Sequence, residues 1–204
     1  MEREAESLAD VRSYLVESAE IKRLTAEACA EAITAAARIV TDAFRAGGKL
    51  LICGNGGSAA DCQHMAAELV SRLTKDFERP GLPAIALTTD SSFLTAYAND
   101  CGFEGIFARQ VQALGRPGDV LLGISTSGNS ANVVQAVELA RAMGMRCVAL
   151  TGAGGRLAKL ADVGISVPSE DTQHIQEAHL AIEHLLCMLV ERSMFGRAPA
   201  TGRP

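Results

Sequence analysis

Four hydroxyl side chains fall within six residues at Ser125, Thr126, Ser127 and Ser130, with Gly128 among them. A phosphate monoester needs several donors and close approach of the backbone, and this run, placed where a strand gives way to a helix, supplies both. It reads as a phosphate cradle, although each serine taken singly serves equally well as an N-cap or turn residue. A second loop, Cys53-Gly54-Asn55-Gly56-Gly57-Ser58, joins another strand to another helix. Its glycines admit an anion to the backbone amides, and Ser58 is placed to cap the helix. Gly54, Gly56 and Ala59 also meet the loose dinucleotide fingerprint, which requires an acidic residue about twenty positions further on. The second strand here ends at Thr88-Thr89-Asp90, well past that spacing, and no Gly-Lys-Ser/Thr follows either loop.

The titratable groups come in helical pairs. His64 and Glu68 stand four apart, which puts both on one face of the helix after the glycine loop, where they can chelate a metal. Gln176 and His184, eight apart, share one side of the last helix, and His179 with Glu183 forms another i, i+4 pair. On spacing alone a solvated or salt-bridging face is the more usual account of an i, i+4 His/Glu pair, and periodicity does not bring the two helices together. Asn99-Asp100 is read as a loop after an apolar stretch through Tyr97, which alone is ordinary turn and cap chemistry.

Positioning these groups falls to an α/β domain. From Lys49 onward, apolar runs at 50–53, 84–87, 120–124, 146–150 and 163–167 alternate with helical segments at 59–73, 131–143 and 172–195, and with one ending near Leu114. Continuous apolar strands separated by helices imply a doubly wound parallel sheet of about five strands covered on both faces. Ligands then bind beyond the carboxyl ends of the strands, where both cradles lie. Two polar cradles on one sheet suit a ligand held at several points, such as a polyol phosphate. Ahead of the domain, 48–195, the residues 1–47 read as a helical extension. In it Leu15, Ile21, Leu24, Ala28, Ile33 and Phe44 recur at helical spacing, so two helices with an oligomerisation role are expected. The tail, 196–204, is expected to be disordered.

Composition narrows the partners. The 204 residues carry a net charge of −5 with no dense Lys/Arg cluster, and only 4% are aromatic, with no Trp. Neither a phosphodiester track nor base-stacking platforms are present, so nucleic acid is not expected as a partner. The six cysteines lack Cys-x-x-Cys spacing and read as reduced core thiols. No apolar leader and no run long enough for a bilayer are evident, so a cytoplasmic protein is expected.

The runs Cys-Gly-Asn-Gly-Gly-Ser, Gln63-His64-Met65-Ala66-Ala67-Glu68, Arg79-Pro80-Gly81-Leu82-Pro83-Ala84, Ala98-Asn99-Asp100, Gly118-Asp119-Val120 through Ser130, and Ile175-Gln176-Glu177-Ala178-His179 together resemble the phosphoheptose isomerase family of the sugar isomerase (SIS) domain group. The likeness spans about residues 40–195, with order and spacing kept. It implies a flavodoxin-like or Rossmann-like SIS fold and an aldose–ketose isomerase that converts sedoheptulose 7-phosphate to D-glycero-D-manno-heptose 7-phosphate through an enediol, the first step toward nucleotide-activated heptose. It further implies a homotetramer with sites between subunits. Under this resemblance Ser125, Thr126, Ser127 and Ser130 hold the phosphate, while Asn55, Gly56, Gly57, Glu68, Asn99, Asp100 and Gln176 contact the sugar. Glu68 and His184 match the acid–base pair. His64, Glu68, Gln176 and His184 match the ligands of one zinc ion per subunit, so Glu68 and His184 carry two implied roles. A related class of SIS proteins binds the replication initiator, or senses sugar phosphates, without catalysis. It shares both cradles but lacks counterparts of Glu68 and His184, which this chain has. His174 and the segment 169–172 depart from the more basic stretch expected there, so no contact is assigned to them.

Overall fold

A computed structural model describes residues 2–75 and 77–196, so the expectation for the tail falls outside the described residues apart from Gly196. Its centre is one sheet of five strands, β1 (Leu50–Gly54), β2 (Ala84–Ala86), β3 (Val120–Ser125), β4 (Arg146–Thr151) and β5 (Val163–Ser166), in the order β2-β1-β3-β4-β5. Every neighbouring pair is parallel. That order is the flavodoxin-like form of the doubly wound sheet, and the winding reverses between β1 and β3. These strands form because their apolar runs can be buried on both faces: every residue of β1 and β3 is buried. Each Leu or Ile fully withdrawn from water contributes about 1.5–3 kcal/mol.

Alternate strand residues feed two separate cores, as the period of two requires. Leu50, Ile52, Val120, Leu122, Ile124, Val148 and Leu150 pack under α1 (Glu2–Arg45), α2 (Gly57–Val70) and α7 (Thr172–Phe195). Leu51, Cys53, Leu121, Cys147 and Ala149 pack on the other face under α3 (Ser91–Cys101), α4 (Ile106–Leu114), α5 (Ala131–Ala142) and the short α6 (Leu157–Leu160).

Three local expectations are corrected. The helical extension is one 44-residue helix rather than two. No Gly or Pro interrupts residues 2–45, and the helix stops only where Gly47 takes a positive φ of 81°. Of its expected stripe, Ile33 and Phe44 are buried, but Leu15 is 62% exposed and Ala28 faces outward. The second helix starts at Gly57, capped by Gly56, so Ser58 is buried in the first turn and caps nothing. Asn99 and Asp100 lie in the last turn of α3, not in a loop, because Asp90 caps that helix through the Phe93 N–H and it runs on until Gly102. Of the six cysteines, all free, only Cys101 is exposed.

The first half of α1 meets the opening turns of α7. Tyr14 Oη donates to Glu177 Oε1 at 2.8 Å, Ser18 donates to Glu177 Oε2, and Lys22 Nζ stands 3.5 Å from the same carboxylate. These contacts, the Ser18 hydroxyl foremost, pull the Glu177 carboxyl down to about 2. Around and before this latch Leu8, Val11, Leu15 and Val16 leave apolar surface uncovered.

Candidate active site

The helices α2 and α7 run side by side in the same direction, and their contact faces gather the titratable pairs that sequence spacing could not join. His64 Nε2 and His184 Nε2 are 2.8 Å apart, with the rings edge to face. Glu68 Oε1 is 3.9 Å from His64 Nε2. The other Glu68 oxygen, Oε2, is buried without a hydrogen-bond partner. At the start of α2, the Gln176 side chain lies against Gly57: a Cβ built there would meet Gln176 Nε2 at 2.6 Å. Thus one half-exposed seam carries two contacts, Gly57 against Gln176 and, about two turns further along, His64 and Glu68 against His184.

The Ser-Thr-Ser-Gly-Asn-Ser loop folds as a cradle at the carboxyl end of β3. Ser125 Oγ lies 2.9 Å from Ser130 Oγ and 3.4 Å from Ser127 Oγ, and Ser127 Oγ accepts from the Asn129 N–H. Ser130 sits at the N-cap of α5 without a side-chain cap bond; the Val133 N–H is taken by Asn132 Oδ1 at 3.0 Å, and the helix N-terminus before it faces the cradle. Thr126 and Ser127 face a cleft of about 250 Å³ completed by Ala153, Gly154, Ser169, Glu170, Thr172 and Ile175. Ile175 precedes Gln176 on α7, so the phosphate cleft and Gln176 share one helix turn, with His184 about two turns further along the same helix.

The two loops are cross-tied. Asn55 and Asn132 exchange reciprocal amide bonds of 2.9 and 2.8 Å, which fixes the glycine loop against the start of α5 and leaves Asn55 one N–H and one lone pair for a ligand. Asn132 escaped the sequence reading, as did the loop 153–156 that props the cradle. Arg156 and Leu157 both donate to the Gly128 carbonyl at 3.0 Å, and Gly155, at φ 92°, packs so closely on Gly128 that a Cβ would lie 2.5 Å from its Cα. The signal was the Gly154-Gly155 pair directly beyond β4.

Asn99 and Asp100 are not brought to this seam within the chain. Asn99 Nδ2 donates to Asp100 Oδ1 at 2.8 Å, and Asp100 lines a separate cleft with Phe93, Ala96, Tyr97, Cys101 and Arg109. His179 and Glu183, for which a solvated face was an open reading, are both buried. His179 Nε2 donates to the Thr151 carbonyl at 3.1 Å, and burial lowers the imidazole to about 4, so the ring is neutral. Glu183 has no hydrogen-bond partner for either oxygen; burial, then the nearby Asp61 carboxylate, pushes it up to about 9.

Among the described residues no three His, Cys, Asp or Glu side chains are gathered closely enough as they stand to hold a metal. The donor chemistry nevertheless suits zinc: two imidazole nitrogens converge, and a buried carboxylate oxygen beside them lacks a partner.

The SIS domain family model matches residues 13–152. A phosphoheptose isomerase of Roseiflexus sp. (strain RS-1) is 57% identical over 179 residues, which cover 87% of this chain and 90% of that protein. The solved phosphoheptose isomerase of Francisella tularensis superposes with a TM-score of 0.87 at 43% identity, covering 91% of this chain and 98% of that one. That of Neisseria gonorrhoeae does so with a TM-score of 0.84 at 44% identity, covering 90% and 98%. With a cradle, a glycine loop and a histidine–carboxylate cluster on the matching fold, the chain belongs to the phosphoheptose isomerase family of SIS-domain enzymes.

Proposed function

We propose that this chain interconverts sedoheptulose 7-phosphate and D-glycero-D-manno-heptose 7-phosphate. The observation that supports it most is the meeting of Glu68, through His64, with His184 on α7, the same helix that lines the phosphate cleft with Thr172 and Ile175. The phosphate is held by Ser125, Thr126, Ser127, Ser130 and the first amides of α5, while Asn55, Gly56, Gly57 and Gln176 fix the sugar hydroxyls. The Glu68 carboxylate, whose Oε2 has no hydrogen-bond partner, removes a proton from C1 of the ketose as His184 gives one to O2, leaving the enediol. Glu68 then returns its proton to C2 and His184 recovers one from O1, which yields the aldose with atoms and charges balanced. Asparagine and glutamine amides around the sugar stabilise the charge that develops on oxygen.

His64, Glu68, Gln176 and His184 would hold one zinc ion, which when bound supplies Lewis acidity at the substrate oxygens. We further propose a homotetramer in which Asn99 and Asp100 reach the sugar from a neighbouring subunit, since within one chain they stay apart from the cluster. The uncovered Leu8, Val11, Leu15 and Val16 suit burial between subunits. A cytoplasmic setting agrees with five buried free thiols, and no helix among the described residues is long and apolar enough to cross a membrane. A scaffold that binds the replication initiator, or a sensor, would have no need of the Glu68–His184 pair, so the catalytic reading is preferred. Proton NMR of the purified protein with sedoheptulose 7-phosphate tests it: exchange at C1 and C2 with appearance of the aldose is expected. No exchange, with or without zinc, refutes it.

A further inference from the structure

Arg79 takes no part in the chemistry above, yet it is the residue most completely engaged near it. Its side chain is 2% exposed, in the loop between α2 and β2. Nη2 donates to the carbonyl of Glu68 itself at 2.9 Å, and Nη1 to the carbonyls of Leu69 at 2.7 Å and Pro80 at 3.0 Å. Nε donates to Glu191 Oε2 on α7 at 2.8 Å, and the guanidinium lies 5.9 Å from the Phe195 ring centroid. One fork thus takes up two carbonyls at the end of α2, where the helix dipole favours a cation, and binds α7 with its remaining edge.

The contacts between α2 and α7 follow in register: Gly57 with Gln176, His64 with His184, and the end of α2 with Glu191 through Arg79. Glu191 lies seven residues past His184, about 10 Å along the helix. We infer that Arg79 is a positioning residue: with Glu191 it sets the approach of α2 to α7 and thereby the placement of Glu68 against His184. Lysine cannot replace it, since a single ammonium lacks the planar fork that reaches two carbonyls and a carboxylate at once.

This rests on the roles proposed for Glu68 and His184, so the wild-type isomerase assay runs beside the variants. Absence of wild-type turnover would count against those roles and not against the clamp. The variants are Arg79→Lys and the paired Arg79→Met/Glu191→Met, which removes both buried charges together instead of stranding one. Turnover, KM, and the affinity for inorganic phosphate at the Ser125–Ser130 cradle are measured. With a displacement of about 1 Å costing on the order of a hundredfold, kcat should fall about a hundredfold in the paired variant and about tenfold in Arg79→Lys. KM and phosphate affinity should stay within about threefold. A kcat within threefold of wild type in either variant overturns the inference, and so does a loss of phosphate affinity that parallels the loss of kcat, which would mark general loosening.

Discussion

Gly57→Ala separates positioning of the substrate amide from folding. The new methyl group would sit 2.6 Å from Gln176 Nε2 and 3.0 Å from Cδ, so the amide must leave its place. What it meets is the tip of a flexible side chain, and Gly57 is the first residue of α2, where alanine removes a glycine penalty of up to about 0.5–1 kcal/mol. The variant should therefore melt at or slightly above the wild-type temperature. Losing one Gln176 hydrogen bond to the sugar costs about 1–2 kcal/mol, or roughly 5- to 30-fold in kcat/KM. Gln176→Ala should show the same loss, and the double variant no more than either single one, because both act on one contact. The assay is the isomerisation rate at several substrate concentrations beside a thermal melt. Wild-type kcat/KM in Gly57→Ala, or losses that multiply in the double variant, would show that the Gly57 contact does not hold the Gln176 amide for the sugar.

Four further outcomes are expected. Glu68→Gln should abolish turnover while its sedimentation matches wild type; near-normal turnover would remove Glu68 from the mechanism. Chelation should abolish activity and zinc restore it, as followed by metal analysis beside the rate, if His64, Glu68, Gln176 and His184 hold the ion. Gly155→Ala, where φ is 92° and the methyl would strike the Gly128 backbone, should lower stability by about 1–3 kcal/mol in urea melts and weaken phosphate binding with it. His179 is held at about 4 in the fold against an ordinary value of 6.5, so the unfolded chain binds its proton first and this group's contribution is lost as pH falls below 6.5. Between pH 6.5 and 4.5 the wild type should lose about 2 kcal/mol more than His179→Gln in urea titrations, and equal slopes would contradict the burial.

What was legible in the sequence was what short-range pattern controls. Apolar runs such as Leu121–Ile124 can only be strands buried on both faces, and the hydroxyls of Ser125 to Ser130 fall at the end of one of them. Where a local signal was weighed wrongly, the error was also local: Asp90 is a helix cap, and that places Asn99 and Asp100 inside α3. Contacts between residues far apart in sequence were not legible from pattern alone. Spacing shows that His179 and Glu183 share a face, but only the docking of α7 against the sheet and α2 makes that face the buried one. Likewise nothing near Gly57 announces Gln176, and nothing near Arg79 announces Glu191, because each pairing exists only once α2 and α7 lie in register.

The arrangement of the two cores bears on the order in which the protein can be made. The core under α3 to α6 draws on strand and helix residues up to Leu157, packed with the partly buried Leu160 and Ala161. The opposite core needs Ile175, Ile182, Leu186 and Val190 of α7 to close over residues of α1 roughly 130–160 positions earlier. During synthesis, one side of the sheet can therefore be sealed while the other stays open until the last helix leaves the ribosome. Since α7 also brings Gln176 and His184, the chain acquires its second core and its active site in the same event.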